Sequence, residues 1–252
     1  MTTKYMPKQQ FYSKYVSTHY QFIAASTEAV FLKRLYVWKS YFLPYLPKKK
    51  DSAILEIGSG VGHNLYALKA LGYTNIRGTD YSKECVDICE QNGFDVQLVD
   101  ERSEKSFYKS HKEMFRMVVL YDVLEHYSPG DAVVLLTSIK HMLKKDGTIV
   151  ISSPNANHPF SNTLLFADIT HKCMYNVVSL SQLLRNCGLS RNEFFEMNSF
   201  TSYDDNAMLR LLKTTLMPLV AYIGESFWRM IALSQGILLR ECKPTLIAIA
   251  QK

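Results

Sequence analysis

Three glycines alternate directly after a short apolar run in the stretch Ala53-Ile54-Leu55-Glu56-Ile57-Gly58-Ser59-Gly60-Val61-Gly62-His63-Asn64. Residues without a Cβ let a ligand lie against the backbone and let the chain take positive φ where it must turn. That is a cradle for a nucleotide-like molecule. A dinucleotide turn spaces its glycines Gly-x-Gly-x-x-Gly and sets a pyrophosphate on the next helix N-terminus, whereas here the third glycine arrives one residue early. Glu56 separates the alternatives further. A carboxylate at the strand end repels pyrophosphate and suits a ligand carrying an amine and a sulfonium.

Further residues able to do chemistry follow at intervals. Asp80 lies about 20 positions beyond the turn, where an acid binds ribose hydroxyls in doubly wound folds, and is read as the ribose ligand, with Tyr81 beside it opening a helix. Asp100 and Glu101 close a later alternating stretch, and Asp122 opens Asp122-Val123-Leu124-Glu125-His126 after a nearly all-apolar run. His126 and His171 carry the side chain whose pKa suits proton transfer near neutrality. Asp168 stands three positions before His171, where a carboxylate could fix its tautomer. Phe11 to Tyr20 packs hydroxyls and an imidazole into ten positions, with Tyr15 and His19 as its candidates for ligand contact.

These stretches together resemble the class I S-adenosylmethionine-dependent methyltransferases. Glu56-x-Gly58-x-Gly60-x-Gly62 is similar to the first motif of that family, and Asp122-Val123-Leu124-Glu125-His126 looks like a segment of its ubiquinone-type, small-molecule branch. The resemblance spans residues 53 to 155. It implies S-adenosylmethionine as cofactor, bound by Glu56, Gly58, Gly60, Gly62, Asp80, Tyr81 and Asp122, with the acid at Asp100-Glu101 hydrogen-bonding the adenine amino group. Asp168-x-Thr170-His171, followed by Tyr175 and a Ser-Leu-x-x-Leu-Leu helix, looks like the acceptor-side segment of methyltransferases that act on glycans and other small hydroxylated compounds. The implied function is O-methylation of a sugar or glycan hydroxyl in surface-polysaccharide assembly, with Tyr175 on the acceptor side; Tyr15 and His19 are read as touching the methionine carboxylate or the acceptor. A small aromatic or lipid-like acceptor of quinone type is the alternative. A cofactor-binding protein without turnover is opposed by the intact Glu56, Asp80, Asp100 and both histidines, and an NAD-dependent dehydrogenase by Glu56 and the early third glycine.

Methyl transfer from a sulfonium is an in-line displacement, so the protein must align the acceptor and, for a hydroxyl, remove its proton. His171 is favoured as the base because Asp168 stands near it in sequence, and His126 is the other candidate. Asp168 could also help hold a divalent ion, but no ligand cluster visible in the sequence compels a metal.

The elements that must position these groups read as a doubly wound α/β fold: a single Rossmann-like, mostly parallel seven-stranded sheet with helices on both faces. Buried strands are read at 53–57, 73–80, 94–99, 115–120 and, after a turn at Asp146-Gly147, up to Ser153; a sixth at 193–200 and a last at 245–250 follow. Helical spacing over 83–92 and 131–144 supplies crossovers, which are right-handed almost without exception and place the crevice at the C-terminal strand ends. A helix over 179–187 is capped by Ser179 and stopped by Gly188. Residues 1–50 form an N-terminal helical lid, with apolar spacing from Phe22 to Phe42; a frayed surface helix is the other reading of its first part. Residues 51–252 form the methyltransferase domain, with an acceptor-side insertion at 154–178 and a helical insertion at 204–240. The latter is very apolar and interrupted by Pro218 and Gly224, so a helical pair is expected, covering the site or forming a homodimer contact. Arg210, Lys213, Arg229 and Arg240 flank its apolar face, which would also suit a peripheral membrane contact through 208–239 and a lipid-linked acceptor.

Bulk properties set the outer limits. A chain of 252 residues with 47% apolar side chains matches one globular catalytic domain. The five cysteines are scattered with no Cys-x-x-Cys pair, so free thiols in a reducing cytoplasm are expected. No signal peptide or run of roughly 20 apolar residues is visible. The net charge of +6 lacks the aromatic-interleaved basic stripe of a nucleic-acid binder.

Overall fold

The computed structural model describes residues 11–20, 28–197, 207–235 and 242–252. Its strands are β1 (Ile54–Ile57), β2 (Ile76–Asp80), β3 (Val96–Leu98), β4 (Phe115–Tyr121), β5 (Leu143–Pro154), β6 (Ser190–Met197) and β7 (Thr245–Gln251). They form one sheet in the order β3-β2-β1-β4-β5-β7-β6. β1 to β5 pair in parallel, and β7 runs antiparallel to both of its neighbours. The order reverses between β1 and β4, and a crevice at the carboxyl ends of those two strands is where an open α/β sheet binds its ligands.

Side-chain alternation builds a core on each face of the sheet. Leu55, Ile57, Val118, Leu120, Ile149 and Ile151 pack on one side with α5 (Pro129–Met142) and α7 (Val177–Asn186). Ile54, Met117, Val119 and Val150 pack on the other with Ala67 and Leu68 of α2 (His63–Ala70). Ser82 caps α3 (Lys83–Gln91) by accepting from the backbone N–H of Cys85, so β2 passes directly into its crossover helix.

The segment expected as a lid has two roles. α1 (Glu28–Val37) runs on into a π-helical turn, Trp38–Phe42, and a short 3-10 turn, Leu43–Tyr45. Trp38 and Phe42 are wholly buried against the sheet, so this part covers the core, while Tyr12 and Tyr15 line the crevice. Phe22 and Ile23 lie outside the described residues.

Two expectations are corrected, and one helix was not foreseen. Residues 207–234 form a single helix, α8, which continues through Pro218 and Gly224: the proline removes one backbone donor and the glycine costs about 1 kcal/mol, and the apolar repeat on both sides carries the helix across. α7 begins at Val177, capped by Asn176, and Ser179 is the third helical residue, returning the bond of a capping box. An unexpected helix, α4 (Glu101–Ser110), follows β3, capped by Asp100 in a second capping box with Ser103. Asp100-x-x-Ser103 is the signal that could have revealed it. All five cysteines are free thiols, and among the described residues no helix is long and apolar enough to cross a membrane.

Candidate active site

A cavity of about 450 Å³ opens where β1, β2 and β4 end. The backbone N–H groups of Gly58 and Ser59 donate to the Thr79 carbonyl at 2.8 and 3.1 Å, joining the glycine turn to β2. Asp80 is buried beside it and accepts from the N–H of Gly60 at 2.8 Å and of Ser82 at 2.8 Å. Burial raises the Asp80 pKa to about 6 against the opposing pull of those N–H groups. Gly58 has φ +70°, and a Cβ there would lie 2.5 Å from Cγ2 of Val123. Gly58→Ala is therefore expected to lower stability by about 1–3 kcal/mol, read as a reduced denaturant midpoint. Adding Val123→Ala should recover the part due to the clash and leave the part due to φ.

Glu56 sits in the floor of this cradle, 1% exposed. Its Oε1 accepts from Asn64 Nδ2 at 2.6 Å, and Asn64 Oδ1 accepts from the Trp38 indole at 2.8 Å. Its Oε2 is buried without a hydrogen-bond partner. Burial raises the Glu56 pKa to about 8, opposed by the Asn64 bond and the positive charge of Arg34. Arg34 itself stacks on the Tyr121 ring with its guanidinium carbon 3.8 Å from the centroid. An orphaned buried carboxylate oxygen in a side-chain-free turn fits the cationic end of S-adenosylmethionine.

This burial has a pH signature in the ligand-free protein. A carboxyl with a raised folded pKa contributes its full stability below its unfolded pKa and loses it as pH rises through the folded one. Stability should thus fall between pH about 4.5 and about 8, by an amount on the order of a few kcal/mol for Glu56. Thermal midpoints across this range should decline less steeply in Glu56→Gln than in the wild type.

The other end of the crevice is built by the turn Leu124–His126 and the segment after α6 (Ser161–Phe166). Thr170 Oγ1 donates to Asp168 Oδ1 at 2.6 Å and lies 2.8 Å from Nδ1 of His126. With its proton committed to Asp168, the hydroxyl accepts from Nδ1–H of His126, and the lone pair of the neutral ring is then on Nε2. Tyr15 donates to Asp168 Oδ2 at 2.5 Å. Burial alone would raise the Asp168 pKa, but the bonds from Thr170 and Tyr15 outweigh it and hold it at about 2. His171 Nδ1 lies 3.1 Å from the carbonyls of both Leu164 and Leu165, which accept its proton and again leave the lone pair on Nε2. The two rings are 4.7 Å apart. Close to both lies Glu125, 1% exposed, with neither carboxyl oxygen hydrogen-bonded.

The crevice collects Tyr15, Glu56, Gly58, Gly60, Asp80, Tyr81, Asp122, His126, Asp168 and His171 of the expected site residues. Asp122 adopts φ +55° and accepts from Ser152 Oγ. Four expected residues are not among its walls. Gly62, at φ +91°, packs its backbone toward the Phe94 ring and Cys89; Asp100 is occupied by the N–H groups of Arg102 and Ser103; Glu101 borders a separate hollow beside α4 and α5; and Tyr175 is buried in the core. His19 falls in the turn Val16–Tyr20, with its side chain outside the described residues. The expected pairing of Asp168 with His171 is replaced by pairing with His126 through Thr170, which spacing along the chain could not reveal. Sequence reasoning also missed Arg34, Tyr12, Glu104 and Glu125 as crevice residues. Glu125 stands inside the quoted motif, and an acid between buried apolar residues was the available signal.

Comparison with known proteins bears on the fold and the family. The chain resembles a solved S-adenosylmethionine-dependent methyltransferase from Archaeoglobus fulgidus with a TM-score of 0.63 and 22% identity, covering 89% of this chain and 95% of that one. A second structural neighbour is a methyltransferase of the same dependence from Thermotoga maritima, with a TM-score of 0.62, 13% identity and coverage of 96% and 99%. A third is phosphoethanolamine N-methyltransferase 2 of Haemonchus contortus, solved with S-adenosyl-L-methionine, with a TM-score of 0.59, 13% identity and coverage of 96% and 60%. At these identities the likeness is one of fold. No curated protein sequence gives a significant match. Residues 31–191 match the profile of the methyltransferase domain family, and with most of its length inside that match the chain belongs to this family and is an S-adenosylmethionine-dependent methyltransferase.

Proposed function

We propose that the protein methylates a hydroxyl of a sugar or glycan headgroup. The observation carrying this reading is the His126 imidazole backed through Thr170 by an ionised Asp168, in the same crevice as the glycine cradle. A hydroxyl acceptor must lose its proton as it takes the methyl, and a supported base suits that step. Tyr12, Tyr15 and Asp122 add polar groups suited to neighbouring hydroxyls of a saccharide.

S-adenosylmethionine supplies a methyl group on a sulfonium, whose carbon–sulfur electron pair stays with sulfur when the acceptor oxygen takes the methyl. In this reading Asp80 accepts from the ribose hydroxyls, Glu56 Oε2 takes the ammonium, and Arg34 faces the carboxylate of the methionine part. His126 Nε2 receives the acceptor's proton, and the Thr170–Asp168 chain stabilises the resulting imidazolium. The turn containing Tyr15 serves as a lid, tied to Asp168 on one side and, through the backbone of Val16, to Glu84 of α3 on the other.

Exposed Val220, Tyr222, Ile223, Phe227, Met230 and Leu233 on α8 favour a lipid-linked or lipid-like acceptor and a peripheral membrane contact as the second reading. Incubation with methyl-labelled cofactor and, separately, nucleotide sugars, lipid-linked glycan extracts and quinone precursors tests both. Label on the saccharide supports the first; label confined to the quinone precursor overturns it.

A further inference from the structure

We infer that Glu125, His126 and His171 bind a divalent cation of the first transition series within the crevice. This deepens the proposed function and rests on it in taking this wall as the place of the acceptor hydroxyl. One ligand atom from each of the three side chains lies within 4.8 Å of the others. Metal–ligand distances of about 2.0–2.2 Å require donor separations of roughly 3–4 Å, a closure within the reach of small side-chain rotations.

Three features favour an ion over an accidental cluster. The Glu125 carboxyl is 1% exposed and neither oxygen has a hydrogen-bond partner, an arrangement that either a proton or a cation relieves and that a cation beside two imidazoles would suit. Both imidazoles donate Nδ1–H to a fixed acceptor, the Leu164 and Leu165 carbonyls for His171 and the Thr170 hydroxyl for His126. Metal-binding histidines are held in the same way, through an outer-shell bond that fixes the tautomer and orients the other nitrogen. The outer shell of His126 ends at an ionised carboxylate, Asp168, as in the carboxylate–histidine–metal arrangement.

The donor set narrows the ion. Two nitrogens and one carboxylate suit Mn²⁺, Fe²⁺ or Zn²⁺ better than Mg²⁺, which prefers oxygen ligands. Three protein ligands leave open positions, which an acceptor oxygen can occupy. A bound hydroxyl would lose its proton to solvent at a lower pH than a free one. In the ion-loaded protein His126 is thus a ligand, and its role as proton acceptor describes the ion-free form.

The test is calorimetric titration of the full chain, stripped with chelator, against MnCl₂, ZnCl₂ and MgCl₂. One site per chain for Mn²⁺ and Zn²⁺, weaker binding of Mg²⁺, and a loss of about tenfold or more in Glu125→Gln and His171→Asn are expected, while Glu113→Gln on the surface should bind as the wild type does. Absence of Mn²⁺ binding up to millimolar ion, or equal binding by all variants, overturns the inference. Spin-echo spectra of the Mn²⁺-loaded wild type need no variant: modulation from two imidazole nitrogens supports the site, and its absence refutes it. Methyl transfer to a hydroxyl that persists unchanged in chelator, without ion binding, sinks the cation alone. Ion binding with transfer only to a non-hydroxyl acceptor sinks the functional reading and leaves the site standing.

Discussion

Asp80→Asn is expected to weaken S-adenosylmethionine binding by about 10²- to 10³-fold. The substitution keeps the side chain's shape but leaves one acceptor oxygen for two N–H groups, of Gly60 and Ser82. The turn or the start of α3 thus also loses a bond, and the protein's stability is to be measured beside the affinity. The substitution also removes the charge that two ribose hydroxyls would meet. Hydrogen bonds to charged groups contribute about 1.5–3 kcal/mol each, and every 1.4 kcal/mol is about tenfold. Calorimetry with the cofactor measures the loss directly. The wild-type affinity should also tighten as pH rises through about 6, where the carboxyl ionises, and Asp80→Asn should lack that rise. Equal affinities for the two proteins would remove Asp80 from the cofactor site.

His126→Asn should separate the chemical step from cofactor binding. We expect kcat to fall by about 10²- to 10⁴-fold while the dissociation constant for S-adenosylmethionine changes by no more than about twofold, since this side chain stands with the acceptor-side segment rather than with the glycine turn. Asp168→Asn leaves the imidazole in place and weakens only its support, so its loss of kcat should be smaller. Full turnover in the His126 variant would show that the relay through Thr170 has no part in the reaction.

The cofactor end was the more legible half of the molecule. A glycine turn, the acid before it and the acid at the end of the next strand are consecutive in sequence or set at a fixed distance by one crossover, so it could be expected before the fold was seen that Glu56, Gly58, Gly60 and Asp80 share one crevice. The sheet followed from the same logic, because strands buried on both faces read as unbroken apolar runs. The acceptor end was harder, since its contacts cross long intervals: His126 meets Thr170 across 44 positions and Tyr15 meets Asp168 across 153. Nearness along the chain suggested that Asp168 would serve His171, and the turn at Asp168–Thr170 directs the carboxylate elsewhere. Arg34 was hidden for a related reason. It stands in a helix read for its apolar stripe, and only the packing of α1 against the sheet brings its guanidinium over Tyr121.

The bond from Tyr15 joins the segment before α1 to the carboxylate of Asp168, which is linked through Thr170 to the imidazole of His126. If the proposed lid closes over a bound nucleoside, the residence time of the spent product and the speed of the chemical step would come under one side chain. Loosening that bond should hasten departure while slowing the chemistry, and the overall tempo would be a compromise between the two.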